Sequence, residues 1–460
     1  MRSYTRRKLL ALSGAGAATL AAAGATAGEA AAAPPFQPRL FEDYVRPADF
    51  GVVGNGTTDD GAAFASCLTF AGNNDKTVFI PAGMNIRVTR NLFVFGNASI
   101  VGEDRYQSKI TLDGDLEALG AGMSAYWVSF GIVGKGGTVR PWTGEVDNVQ
   151  FVVTAAGSGT GAVLQVIQFH RAEDFAFRNS IIDLRPVGHA ARSAMVSQLD
   201  GVWCSSPGTF RGKIVDNIML GASNGTPATG GSGGINLVAL DRGLIAGNRI
   251  EGFADDAIAV IIAKHCVIRD NWVKGVRSRI AAFGGNDHTF IGNYLERQAG
   301  ADGNWVASSD FYTSFLASPF FAAPENVKFI GNTAVLPAAA TDGGGYHNFL
   351  SLGGVRGCVA SGNILVGDSN QTNRPRIATY VFTAFPGWVD PTGLDPVGKS
   401  RPRSMVLTNN VMTGQYPGRI EEAAVLATDM VGPIVYQGNL ASGYNVFGSN
   451  SFLEDSNKTV

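Results

Sequence analysis

A short phrase built around asparagine returns through the second half of this chain: Phe177-Arg178-Asn179-Ser180-Ile181, Val215-Asp216-Asn217-Ile218, Ala246-Gly247-Asn248-Arg249-Ile250, Arg269-Asp270-Asn271-Trp272-Val273, Ile291-Gly292-Asn293-Tyr294-Leu295, Ile330-Gly331-Asn332-Thr333, Ser361-Gly362-Asn363-Ile364, Thr408-Asn409-Asn410-Val411 and Gln437-Gly438-Asn439-Leu440. The Asn-to-Asn steps are 38, 31, 23, 22, 39, 31, 47 and 29 residues. A motif recurring at such periods marks a structural repeat, and the two shortest steps match one bare turn of a parallel β-solenoid. The longer steps are then coils carrying insertions. Asn suits a tight turn between strands because it tolerates the left-handed backbone region, and stacked Asn amides hydrogen-bond along a column.

The chain begins with Tyr4-Thr5-Arg6-Arg7-Lys8-Leu9-Leu10, continues through an Ala/Gly/Leu stretch and reaches Ala30-Ala31-Ala32-Ala33 before Pro34. This layout predicts a twin-arginine signal peptide over residues 1–33, and hence a periplasmic or secreted protein of one domain over residues 34–460. Removing residues 1–33 takes away four basic residues and one acidic residue, moving the formal net charge from −2 to −5. With 16% charged residues and no basic excess, the chain lacks the electrostatic footprint of a nucleic-acid binder. No later segment has the uninterrupted apolar length that a membrane-spanning helix needs.

The four cysteines are expected to be reduced core thiols. Cys266 and Cys358 each precede a coil Asn by five residues, which sets them three coils, or about 14 Å, apart and beyond disulfide reach.

Residues 47–103 carry Pro47-Ala48-Asp49-Phe50-Gly51-Val52-Val53-Gly54-Asn55-Gly56-Thr57-Thr58-Asp59-Asp60, then Val78-Phe79-Ile80-Pro81-Ala82-Gly83 and Ile100-Val101-Gly102-Glu103. Asp59-Asp60 predicts the cap of a short helix over residues 61–71, followed by a strand ending at Pro81. Asp49, Asp59 and Asp60 are accordingly read as turn and cap carboxylates. This segment resembles the N-terminal module of pectate-lyase-like β-helix proteins, the superfamily of polygalacturonases and phage tailspikes. The resemblance implies an all-β, single-stranded right-handed parallel β-helix (solenoid) with an N-terminal cap containing a short helix. Clear coils are expected over about residues 161–440. A tailspike-like chain also admits a homotrimer.

Counting thirteen residues back from Asn217, Asn248, Asn271, Asn293 and Asn363 gives Cys204, Ile235, Ile258, Ile280 and Leu350, all apolar and expected to face inward. One residue earlier, Trp203, Gly234, Ala257, Arg279 and Phe349 are expected to face outward. At sixteen before the Asn, the column includes Asp255, Arg277 and His347. Asp255 and Asp256, in Gly252-Phe253-Ala254-Asp255-Asp256-Ala257-Ile258-Ala259-Val260, resemble the Asp pair of the polygalacturonase strand "GDDCIAI". The resemblance implies that they act on a glycosidic bond. Ser232-Gly233-Gly234 and Val276-Arg277-Ser278-Arg279 stand where that family has "NTD" and "GHG".

The catalytic candidates are therefore Asp255, Asp256, Arg277, Arg279 and His347. Substrate-contact candidates are Asp200, Trp203, Asn236, Lys264, Trp305, Asp310, Tyr312 and Tyr346. Aromatic insertions follow Asn293 and Asn363, and rings beside a groove suit sugar faces. Two chemistries fit a polysaccharide in such a groove. Paired carboxylates would hydrolyse it as acid and base with no cofactor. Arg277, Arg279, Lys264 and His347 would instead support β-elimination beside a uronate carboxylate, with Ca²⁺ held by aspartates. A noncatalytic carbohydrate-binding or surface-attachment protein would need the aromatic loops alone. The five histidines show no zinc-binding spacing, so no zinc centre is expected.

Overall fold

The computed structural model describes residues 44–114, 125–133, 139–154, 164–169, 172–186, 191–197, 211–221, 233–238, 240–253, 257–276, 281–297, 306–308, 325–335, 348–353, 355–366, 377–382, 403–413, 423–427, 434–441, 445–447 and 453–459. They belong to the unit Tyr44–Val460. Residues 1–33, and with them the expected signal peptide, lie outside the described residues.

Apart from the antiparallel pair Ile132–Val133 with Val139–Arg140, the described strands pair in parallel from coil to coil and fall into three sheets. In the first sheet Phe177, Ile214, Ile245, Ile268, Phe290, Phe329, Ala360 and Leu407 stand in register. All are buried, and Phe290 stacks on Phe329 with ring centroids 5.1 Å apart. The second sheet stacks Phe151, Ile182, Met219, Ile250, Val273 and Leu295. The third pairs Val128 with Ile167 and Ile235 with Ile258, all buried. Alternating strand residues thus send one side chain inward per two positions, and identical positions of successive coils fill one continuous core. This is the right-handed parallel β-helix that the repeat implied.

The turn from first to second sheet explains the recurring phrase. The residue before each stacked Asn adopts the left-handed conformation: Asp216 (φ 58°), Gly247 (65°), Asp270 (55°), Gly292 (64°), Gly331 (61°), Gly362 (65°), Asn409 (53°) and Gly438 (64°). Gly, Asp and Asn are the residues that occupy this region at least cost. The Asn that follows has a different task, being buried inside the coil at each of these positions except Asn410, which is half-buried. In the first of these coils Asn179 is the left-handed residue (φ 49°), and Ser180 takes the stacked position, receiving Asn217 as its neighbour through Ser180 N–H to Asn217 Oδ1 at 2.9 Å. The expected ladder from Asn179 is corrected by one residue at its start.

At the N-terminal end, the helix Gly61–Asn74 packs Phe64, Cys67, Leu68 and Ala71 into the core. Asp60 does not cap it with its side chain. Its buried carboxylate instead accepts from Val53 N–H (2.8 Å) and Gly54 N–H (2.9 Å), closing the preceding turn. Asp59 takes the local bond from Gly61 N–H at 3.0 Å and also binds Thr89. Ladder pairing reaches from Tyr44 with Thr77 to Ala441 with Thr459, wider than the Asn phrase marks. Cys67, Cys266 and Cys358 are free and buried, and Cys204 lies outside the described residues.

Candidate functional site

The third sheet sorts the sequence-derived candidates. Its strands Ile258–Lys264, Ala281–Asn286 and Val306–Ser308 begin in register at Ile258, Ala281 and Val306, and Leu350 of the strand Asn348–Gly353 aligns with them. The segments leading from the second sheet into that edge carry Asp255 and Asp256, Arg277 and Arg279, Trp305, and Tyr346 with His347. The segments leaving the opposite edge toward the first sheet carry Asp310 and Tyr312, between Val306–Ser308 and Glu325–Ile330. Lys264 ends its own strand at that exit edge. Apart from Asn236 and Lys264, all these candidates lie outside the described residues.

The register corrects the count in two coils. Counting back from Asn217 reaches Cys204, whereas the residue aligned with Ile235 is Met195. The insertion in this coil follows the third-sheet strand Ala191–Ser197, so Asp200 and Trp203 belong to the exit connection. Counting back from Asn293 reaches Ile280, one short of Ala281, which pairs with Ile258. A bulge between Val260 and Ala263 inserts the extra residue. A bulged strand carries one residue more than its partner, so the distance from Ile258 to Asn271 is thirteen residues and that from its register partner Ala281 to Asn293 is twelve.

In register with Asn236 stand Val196 on the preceding coil and, on the following ones, Ala259, Ala282, Ala307 and Ser351. Ala259 is fully buried. Asn236 is half-buried and lies between the inward Ile235 and Leu237. Gly234 and Ala257, expected to face solvent, are both buried. A Cβ on Gly234 would come within 2.5 Å of the Ala257 carbonyl oxygen. This end of the sheet is therefore packed on both faces.

Lys264 is exposed, and its ammonium has no ion-pair partner among the described residues. Beside it, His265 places Nδ1 2.9 Å from Asp241 Oδ1 and Nε2 3.5 Å from Asp287 Oδ2. Lys264 and Asn236 stand on adjacent coils but five residues apart along the sheet, since Asn236 aligns with Ala259. At the usual rise per residue that is about 16 Å, so one sugar cannot touch both.

Reading forward from each Asn shows a cluster that counting backward missed. One residue on, Arg249, Trp272 and Tyr294 stack on the outer face of the second sheet; three residues on, Glu251, Lys274 and Glu296 do the same. Trp272 and Tyr294 are parallel, with centroids 6.1 Å apart, and the Arg249 guanidinium lies 5.3 Å above the Trp272 ring. Lys274 Nζ is 3.3 Å from Glu296 Oε1, and the Tyr294 hydroxyl donates to Glu296 Oε2 at 2.9 Å. Burial, then the bond to Glu296, pushes the Tyr294 phenol up. Ring faces are occupied and charges are paired, so this ladder braces the strand ends from which the entry connections depart. Gly221, Gly252 and Gly275 stack at that same corner.

Among the described residues, no group of three or more His, Cys, Asp or Glu side chains is arranged to hold a metal ion. No described helix is long and apolar enough to cross a membrane.

No protein-family model matches the chain, and no curated protein matches it significantly by sequence. Solved structures do resemble its fold. The surface protein and adhesin PfbA of Streptococcus pneumoniae has TM-score 0.57 and 12% identity over 89% of this chain and 100% of that one. The catalytic domain of a GH87 alpha-1,3-glucanase solved with nigerose has TM-score 0.57 and 11% identity, over 93% of this chain and 70% of that one. The tailspike of E. coli bacteriophage HK620 has TM-score 0.56 and 12% identity, over 89% and 67%. These define the class of fold, a right-handed parallel β-helix.

Proposed function

We propose that the protein is an exported enzyme that cleaves glycosidic bonds in a polysaccharide lying along the connections that enter the third sheet. One observation carries this reading. The register Ile258, Ala281, Val306 and Leu350 aligns four strands at or within two residues of their starts, and the segments entering that edge hold all five catalytic candidates. Asp255 and Asp256 are tethered within a three-residue segment between Phe253 and Ala257, both fully buried. A carboxylate pair suits acid and base action on a glycosidic bond. The glucanase solved with nigerose is consistent with a sugar on this fold, as is the tailspike-like N-terminal segment; the adhesin keeps the noncatalytic reading in contention.

Hydrolysis through Asp255 and Asp256 is the favoured chemistry and needs no cofactor. β-Elimination is the second reading, supported by Arg277 and Arg279 at the entry edge; Ca²⁺ held by aspartates would then neutralise a uronate carboxylate. Export through the twin-arginine segment and a homotrimeric assembly belong to the same proposal. Incubation with neutral and acidic polysaccharides separates the readings. Reducing ends without unsaturated products support hydrolysis, unsaturated products support elimination, and neither product across the panel contradicts the enzyme reading.

A further inference from the structure

The outer face of the first sheet, which the proposed reaction does not use, holds a depression of about 360 Å³ crossing four coils. Its floor is the outward column Thr289, Lys328, Val359 and Val406, in register on successive strands. Its rim is the turn column Asp287, Asn326, Gly357 and Ser404, all left-handed. Three coil steps give it a length of about 14 Å along the solenoid, room for a short oligosaccharide. Val359 and Val406 are half-buried and adjacent, offering an apolar strip.

The charges on this face are unequally committed. Asp287 Oδ1 accepts from the Asn326 amide at 3.1 Å, and its Oδ2 faces His265 Nε2 at 3.5 Å. Lys328 is exposed and has no hydrogen bond or ion pair from its ammonium among the described residues. An exposed cation with no partner among the described residues, beside an apolar strip and with amide, hydroxyl and carboxylate groups on the rim, suits a ligand with one anionic group, one apolar face and several hydroxyls. Gly357 leaves the rim without a side chain between Asn326 and Ser404, opening the middle of the depression.

We propose that this depression is a second, noncatalytic site for an acidic oligosaccharide. A uronate carboxylate is set against Lys328, the ring face lies on Val359 and Val406, and hydroxyls meet Asn326 and Ser404. The proposal rests on the carbohydrate reading above but not on catalysis. Such a site would hold a polymer on one face while the third sheet acts on it, raising its effective concentration.

The test is calorimetric titration of the full chain with oligogalacturonate and alginate oligosaccharides, alongside neutral galactose oligomers, in the Asp255→Asn/Asp256→Asn background so that the probe survives. Expected is saturable binding of an acidic oligomer that weakens with added salt, falls roughly tenfold or more in Lys328→Ala, and protects residues 325–330 and 403–408 from hydrogen exchange. Cleavage of short substrates by Lys328→Ala should equal that of the unmodified protein. Binding unchanged in Lys328→Ala, equal binding of neutral oligomers, or no binding of any acidic oligomer would overturn the site. Loss of cleavage in the Asp variants with binding intact leaves it standing, so the two proposals fail separately.

Discussion

Asn271 Oδ1 accepts two hydrogen bonds from Asn248, one from its backbone N–H at 3.1 Å and one from its side-chain amide at 3.0 Å. Asn271 then repeats the arrangement toward Asn293, at 3.1 and 2.9 Å, and spends its remaining amide hydrogen on the Ile245 carbonyl at 2.9 Å. Every polar atom of a side chain only 1% exposed is satisfied. The same pattern links Asn217 through Asn439.

Asn271→Ala should therefore cost about 3 kcal/mol or more, because it leaves several buried donors and acceptors without partners. Asn271→Asp should be worse at neutral pH, since a carboxylate cannot donate to Ile245 or Asn293. Urea unfolding of both variants checks this. A loss below about 0.5 kcal/mol, the usual range for inconsequential surface changes, would show that the ladder contributes little.

Gly221→Ala should destabilise the corner feeding the third sheet. A Cβ there would stand 2.2 Å from the Gly252 carbonyl oxygen, a backbone atom that cannot rotate away. A cost of about 1–3 kcal/mol is expected, measured by the thermal midpoint, with any activity falling alongside it. An unchanged midpoint would mean that the coils separate locally at no cost.

Asp59 should contribute to acid sensitivity. Burial pushes its carboxyl up, but the bonds from Thr89 and Gly61 outweigh that, leaving it below the ordinary 3.8. A depressed carboxyl stabilises the fold above its unfolded value and loses that contribution as pH falls through its folded value. The stability gap between the unmodified protein and Asp59→Asn should be fullest at neutral pH and narrow below about pH 4. A gap that widens on acidification would contradict the assignment.

Burial pushes the thiols of Cys67, Cys266 and Cys358 up to about 12. The thiolate is the reactive form, so iodoacetamide at mildly alkaline pH should leave these three unmodified in the native protein and label them in denaturant. Peptide mass mapping distinguishes the outcomes, and native labelling of Cys266 or Cys358 would contradict their place in the core.

The fold was legible because one physical need, satisfying buried polar groups at a turn, recurs once per coil and leaves Asn217 to Asn439 as its trace. The role of the preceding residue was visible too, since Gly, Asp or Asn stands before each, although the left-handed conformation belongs to that residue and not to the stacked Asn. The site was less legible, because a ruler anchored at Asn stays accurate only until the chain adds residues between anchor and strand. The insertion after Ser197 moved the count from Met195 to Cys204, and the Val260–Ala263 bulge displaced it by one at Ile280. Counting forward crosses no insertion, which is why Arg249, Trp272 and Tyr294 could have been read as a column from sequence alone. Outwardness also misled at Ala257, since a strand period says which face a residue takes and nothing about what covers that face.

The most direct test of the central claim compares polysaccharide cleavage by the unmodified protein with that by Asp255→Asn and Asp256→Asn, using a substrate found in the panel of neutral and acidic polysaccharides. Initial rates are read from reducing ends, and folding is verified by the urea midpoint. A fall of at least about a hundredfold in one or both variants with an unchanged midpoint is predicted if these carboxylates transfer protons at the third-sheet edge. Near-normal rates in both folded variants would contradict the account.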